Sequence, residues 1–551
     1  MRRLAFNIVP WLRAEEKAAT AALETGNTYN LGQSDAAMTV GDVSKIKINP
    51  IRKTSGNGPT EIVDMSKYTG EVGSGKIINP RSLQWIADLM VQDGAEYNQL
   101  MRKRSERLAA IERGEIVPGG EGDEMGMDEV QADAYGNQET VRDILTKPWQ
   151  IDEISAPLAK AGAILTGNWT PKMAMSALSG RVITETDRRL YNEVLDGLQK
   201  GLPDNFIQAL NKVALKKEDG ELATLEEKIG YVQRKLKNVQ SELAVTEKVV
   251  PVRIFADEQD AKTVHGDGSF EGAQTISDVV NGRQGNVVRE RDNKVYSVPP
   301  RSEWPVITVR IADMDVTDRH MTYDGQPIPE VFTSLVFLLE SIYDAFKNDP
   351  NQEYSLVIPK LESVAEMRFI IKEVMKMQKE LNIKKNIPLI FMNETNESAL
   401  KLEAMLWAGR HHVKLSNVGR WDKGAADMRA FWFSQKKVYG DLAKVDMFQS
   451  LMDNYVRSNV VTSHKHGILP EGGMVTVMPS EGNLYPEDDK MAIQSIVIDK
   501  VYEWLLGYNF GWAASPSYVP LVQSIYQQPR EWQPVIEEFP YEQLRQKLLE
   551  F

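Results

Sequence analysis

The chain has 551 residues, a net charge of −13 and no cysteine. Its apolar and charged fractions, 42% and 26%, exclude a disordered or fibrous chain. The missing thiols exclude disulfides, thiolate metal sites and cysteine nucleophiles, and the acidic balance argues against a nucleic-acid partner.

No apolar run reaches the length of a membrane helix, and the N-terminal stretch does not read as a secretory signal. A cytoplasmic protein without a membrane partner is therefore expected. With only 6 histidines, any metal is expected on carboxylates, hence Mg²⁺ or Mn²⁺.

Residues 1–80 read as an N-terminal extension with little regular structure, with Gly, Thr, Ser and Asn frequent around 25–60. Residues 81–180 read as an N-terminal helical region, with Leu83, Ile86, Leu89 and Met90 at helical spacing. The stretch RKRSERLAAIERGE (102–115) alternates charge like a solvated helix face. The acidic, Gly-rich stretch 114–141 reads as a flexible loop. Residues 181–248 read as an inserted, coiled-coil-like helical hairpin. Its second arm carries a heptad seam of Leu222, Leu225, Ile229, Val232, Leu236, Val239 and Leu243. Packing on its own partner arm is the first expectation, and a homo-oligomer formed through the 187–248 hairpin is the alternative.

From Val249 the texture changes to short β-rich runs alternating with helical ones. Strands are expected at 251–257, 305–312, 354–360, 387–394, 411–417, 474–479 and 510–516. The pattern predicts an α/β protein, a (β/α)₈ TIM barrel over 249–525 followed by a tail at 526–551, with a doubly wound sheet as runner-up. In such a barrel the working residues stand just past the C-terminal strand ends. Asp257, Asp260, Arg310, Lys360, Glu362, Glu394 and Asp422 are placed there. Carboxylates converging on one rim suit Mg²⁺, and an arginine among them suits a developing oxyanion.

The local sequence is more specific. RHHVKLSNVGRWD (410–422) resembles the malate synthase signature, with Arg410, His412, Asn417, Gly419, Arg420, Trp421 and Asp422 at its offsets. IFMNET around Glu394, IPKLES (358–363), the arginine-bearing VRIADMDVTDRHMTYDGQPI (309–328), ADEQD (256–260), GGM (472–474) and WAASPSYVPLV (512–522) resemble further family segments in the same order. So do RLAAIERGE (107–115) and TGNWTPKMAMSAL (166–178) upstream. The resemblance implies an Mg-dependent Claisen condensation of acetyl-CoA with glyoxylate, giving malate and CoA. It implies Glu394 and Asp422 as metal ligands and Arg310 as stabiliser of the acetyl enolate. Asp257 would support the metal waters. Backbone amides from Gly419 through Trp421 to Asp422 would grip glyoxylate, and Pro516 would line the acetyl-CoA channel.

Some family features have no counterpart. The E-D-A-A-T-A segment that bears the family's catalytic base is not found after Val522, where Glu537, Glu538 and Glu542 are the available carboxylates. Gln259 and Ala312 stand where the family carries charge, His411 precedes His412, and Lys423 follows Asp422. Two alternatives to the synthase therefore stand: a non-catalytic barrel serving as a scaffold, and a malyl-CoA-type lyase. The paired histidines His464 and His466 read as an exposed loop, and Trp421, Trp432, Trp504 and Trp512 as core.

Overall fold

The computed structural model describes residues 40–54, 60–118, 123, 125–167, 169–257, 268–289, 293–348, 353–431, 448, 450–475, 477–480, 483–535 and 541–548. Eight strands close into a parallel barrel: β1 (Gly162–Gly167), β2 (Arg253–Ala256), β3 (Val306–Arg310), β4 (Tyr354–Ile358), β5 (Leu389–Asn393), β6 (Val413–Val418), β7 (Leu469–Glu471) and β8 (Phe510–Ala513). Strand β8 pairs with β1, Phe510 opposite Gly162, and this pairing shuts the ring.

Side chains alternate between the two faces of each strand. Val306 joins the cluster that fills the barrel interior with Phe255, Val357, Ile390 and Trp512. Ile307 and Val309 join the larger cluster between strands and helices. Arg310, four residues after Val306, thus falls on the inward row at the C-terminal end of β3.

The barrel begins earlier than the sequence suggests. GAILTG, in the span read as helical, is β1, and the hairpin stands between β1 and β2. Its misreading has a physical reason: one short apolar run flanked by helices carries no periodicity of its own. At the other end, the described residues of 474–479 form no strand. The shorter β7 takes its place, pairing Leu469 with Leu415 and Glu471 with Asn417, while Val477 and Met478 are exposed.

Helices α1 (Pro80–Gln92) and α2 (Gly94–Glu112) precede the barrel. The acidic stretch that follows is partly built: Val130–Ala132 and Gln138–Thr140 form an antiparallel hairpin, and Asp133 between them is buried. Residues 1–39 lie outside the described residues. Ile46–Ile48 of the extension pairs antiparallel with Thr317–Tyr323 and so is docked on the barrel.

The inserted hairpin comprises α3 (Glu185–Lys200) and α4 (Leu225–Val245), with the short helix Asp204–Lys212 between them. Both long arms begin with capping boxes, Thr184 with Asp187 and Thr224 with Glu227. The seam residues Val232, Leu236, Val239 and Leu243 are buried within this chain, while Leu222 is exposed. Arm α4 packs on α3 and on the helix Val519–Gln527. The Lys235 ammonium donates to the Ile525 carbonyl at 2.7 Å. Burial holds its pKa well below the usual lysine value. No helix among the described residues is long and apolar enough to cross a membrane.

Candidate active site

The C-terminal strand ends bring Asp257, Arg310, Asp313, Lys360, Glu394 and Asp422 onto one rim. Arg310 lies 3.6 Å from Asp257, 3.5 Å from Asp313 and 4.0 Å from Glu394. The Lys360 ammonium stands 2.9 Å from Asp313 and 3.6 Å from Asp422. Asp313 and Lys360 complete the ring between residues that sequence reasoning had singled out. Lys360 was visible as a strand-end charge, whereas Asp313 had no signal beyond its place after β3.

Glu394 is the centre of this ring. It follows β5 directly and is 1% exposed. Its Oε1 accepts from the Lys360 amide at 3.0 Å, whereas its Oε2 is buried with no hydrogen-bond partner. Burial, then the neighbouring Asp422 charge, push its pKa well above the usual carboxylate range, against the pull of Arg310 and Lys360. Asp313 is likewise raised by burial, opposed by Lys360 and Arg310.

Asp422 sits in the first turn of the helix Arg420–Phe431, where the free amides of the helix start favour an anion. Gly419 precedes that helix. A Cβ there would lie 2.4 Å from Glu394 Oε2, so only glycine lets the turn come this close. Trp421 is 40% exposed at the rim, not in the core as expected; Trp504 and Trp512 are buried. Pro516 opens a short 3-10 turn after β8, half-buried, and the Tyr191 hydroxyl of α3 donates to the Ser517 carbonyl within that turn.

Other signature residues act elsewhere. Arg410 lies 2.7 Å from Asp133, and His412 Nε2 lies 2.8 Å from the Tyr135 hydroxyl. Both stand before β6, at the opposite end from the rim, and fasten the 130–140 hairpin there. Burial lowers the His412 pKa to about 4. Of the paired histidines only His464 is exposed, at the end of the helix Ser450–Lys465 and 2.9 Å from the Gly507 carbonyl; His466 is buried, stacked on Trp149 and 2.8 Å from Glu403. Lys423, where the family carries tyrosine, is buried against Asp427. Gln259, Asp260, Trp432, Glu537 and Glu538 lie outside the described residues, as does the side chain of Glu542.

Among the described residues no three His, Asp or Glu side chains gather as a metal cage. The residues nonetheless fit a hard divalent cation of the Mg²⁺ kind, which typically takes one or two carboxylates and completes its shell with water and substrate oxygens. Glu394 offers a buried, unpartnered oxygen, and Asp422 faces it closely enough to raise its pKa.

Known proteins share this arrangement of segments. Residues 306–543 match the family described as "Malate synthase, TIM barrel domain". The barrel half of the chain is thus similar to the malate synthase TIM barrel domain. It is 26% identical over 268 residues to a malate synthase of Dictyostelium discoideum (48% of each chain) and 25% identical over 275 residues to a glyoxysomal malate synthase of Ricinus communis (49% and 48%). With a malate synthase of Streptomyces clavuligerus it shares 27% over 271 residues (48% and 49%). The chain thus spans about half the length of the curated malate synthases it matches.

Proposed function

We propose that this chain condenses acetyl-CoA with glyoxylate, as a malate synthase does, and releases malate and CoA. The observation that carries the reading is Glu394: a fully buried carboxylate with one unpartnered oxygen, flanked by Asp422 and Arg310 at the catalytic end of the barrel.

Glu394 and Asp422 would hold Mg²⁺ or Mn²⁺, and the bound cation would supply the positive charge that polarises the glyoxylate carbonyl. The chain's own groups bind the substrates and stabilise the enolate, while removal of the acetyl methyl proton needs a base beyond these groups. The amides from Gly419 to Asp422 donate to the glyoxylate carboxylate at a helix start. Arg310, anchored by Asp257 and Asp313, points its charge at the enolate oxygen of the acetyl group. Asp257 would support the waters of a bound cation, and Pro516 would border the path of the acyl-CoA. A cytosolic location accords with the cysteine-free composition.

One observation favours the scaffold reading: the Lys360 ammonium between Asp313 and Asp422 already balances rim charge without any added ion. CoA release from acetyl-CoA and glyoxylate with Mg²⁺, followed with a thiol reagent, separates the readings, since the protein itself contributes no thiol. The synthase requires release that depends on both glyoxylate and metal, is lost in Glu394→Gln, and falls about 10²–10³-fold in Arg310→Ala. Metal binding without release in the wild type would leave the scaffold or a lyase acting on another thioester.

A further inference from the structure

We infer that Arg104, on a helix that precedes the barrel, is a positioning residue for Glu394; the inference rests on the proposed metal site. It acts through one residue, Lys360, whose carbonyl Arg104 holds and whose amide meets Glu394.

Lys360 adopts φ 47, a left-handed conformation that a side chain with a Cβ disfavours. Its amide donates to Glu394 Oε1 at 3.0 Å. Its carbonyl accepts from Arg104 Nη2 at 2.8 Å. The guanidinium is itself fixed by a two-pronged contact with Glu366, Nε to Oε1 at 2.7 Å and Nη2 to Oε2 at 2.8 Å, and lies 3.7 Å from Glu362. Glu366 Oε2 also accepts from the Glu362 amide at 2.6 Å, so the same carboxylate ties Arg104 to the turn it supports.

A strained backbone conformation persists only where its surroundings hold it. Here the outer support comes from α2, far away in sequence, and the inner one from the candidate ligand. With Arg104 in place, the Lys360 amide points at Glu394 Oε1 and leaves Oε2 as the oxygen without a partner. Without it, the turn is free to relax toward negative φ, and the amide turns away from Glu394. Arg107, one helical turn on, contacts Glu397 and Asp123 and makes no contact with Lys360. It fastens the same helix to the rim without touching this residue.

The test is Mn²⁺ affinity of the full chain without substrates, read by the loss of the free-ion electron paramagnetic resonance signal, with thermal unfolding measured alongside. Supports of a metal ligand typically contribute 10–100-fold to affinity. Arg104→Ala is expected to weaken Mn²⁺ binding about tenfold or more, and Arg104→Lys, which keeps one donor for the Lys360 carbonyl, to recover part of it. Arg107→Ala is expected to leave the affinity within about threefold of wild type, outside that range. Equal losses in Arg104→Ala and Arg107→Ala would overturn the inference, because docking of the helix as a whole would then explain both. Unchanged affinity in a folded Arg104→Ala would overturn it too. Glu394→Gln is the control on the underlying reading: if Mn²⁺ binds that variant as it binds the wild type, the metal site fails and not merely its support.

Discussion

Glu394 and Glu503 are both fully buried glutamates near the C-terminal end of the barrel strands, each pressed by a glycine, yet their surroundings differ in one respect. Glu503, on the helix Pro486–Leu506, has both oxygens engaged. Oε1 accepts from the Gly473 amide at 2.9 Å, and Oε2 from the Tyr526 hydroxyl at 2.7 Å and Lys500 at 3.0 Å. With Asp499 it also steadies Arg420, the residue that opens the helix carrying Asp422. Glu394 has one oxygen engaged and one without a partner. A buried polar set that is complete holds the fold in one arrangement; one that is incomplete costs stability and is retained where a ligand completes it.

The largest effect expected from this contrast is on stability. Glu503→Ala leaves the Gly473 amide and the Tyr526 hydroxyl without their acceptor and removes a partner of the buried Lys500. Breaking such a pair costs about 3–5 kcal/mol, measurable as a fall in the midpoint of urea unfolding. Glu394→Gln removes a charge that burial disfavours, so the metal-free protein should be at least as stable as wild type while divalent-ion binding is lost. Comparable destabilisation in both variants would erase the distinction. The raised Glu394 pKa adds a sign: its destabilising contribution is absent below the unfolded carboxylate pKa and grows as pH rises toward the folded one. Wild-type stability relative to Glu394→Gln should therefore decline with rising pH.

His412 extends the contrast to the opposite end of the barrel. Its ring is satisfied on both sides, by the Ile387 carbonyl at 3.2 Å and the Tyr135 hydroxyl at 2.8 Å, and it is held neutral. Its pKa falls from 6.5 to about 4, chiefly through burial. The unfolded chain takes up that proton first, so stability is lost as pH falls from 6.5 toward about 4, by about 3 kcal/mol over the window. His412→Gln should flatten this part of the stability–pH curve; an unchanged slope would show that the ring does not govern it.

These residues also show what sequence can and cannot disclose. The strands from β2 to β6 were legible because each is a short apolar run between helical periodicities. Glu394 and Asp422 were legible because a strand end and a signature mark them. Arg104 was not. Alternating charge on 102–115 describes a helix face that water would suit, and nothing local says that this face meets Glu366 and the Lys360 carbonyl across the fold. His412 belongs to the same signature as Asp422 but serves the far end of the strand, since six residues of β6 separate the two ends. A one-dimensional motif cannot distinguish the two ends of the strand that carries it. The heptad seam was read correctly as a packing face, and its partner proved to lie within the chain because α3 and the helix Val519–Gln527 cover it.

The glycines offer the finest division between the two glutamates. A Cβ on Gly472 would meet Glu503 Oε2 at 2.0 Å, and one on Gly419 would meet Glu394 Oε2 at 2.4 Å. Neither glycine has positive φ, so both substitutions act through space alone. Glu503 is pinned by three donors and cannot move without breaking them. Gly472→Ala should therefore appear in stability, at about 1–3 kcal/mol, as overpacking does. A Cβ on Gly419 would also meet Glu394 Cβ at 2.5 Å, a contact that turning the carboxylate does not relieve. Gly419→Ala should therefore cost stability as well, at about 1–3 kcal/mol, and should in addition weaken Mn²⁺ binding, because the displaced oxygen is the one offered to the ion. Urea unfolding and Mn²⁺ titration of the two alanine variants check this difference. A Gly419→Ala protein that binds Mn²⁺ like wild type would mean that Glu394 reaches the ion through another oxygen or not at all.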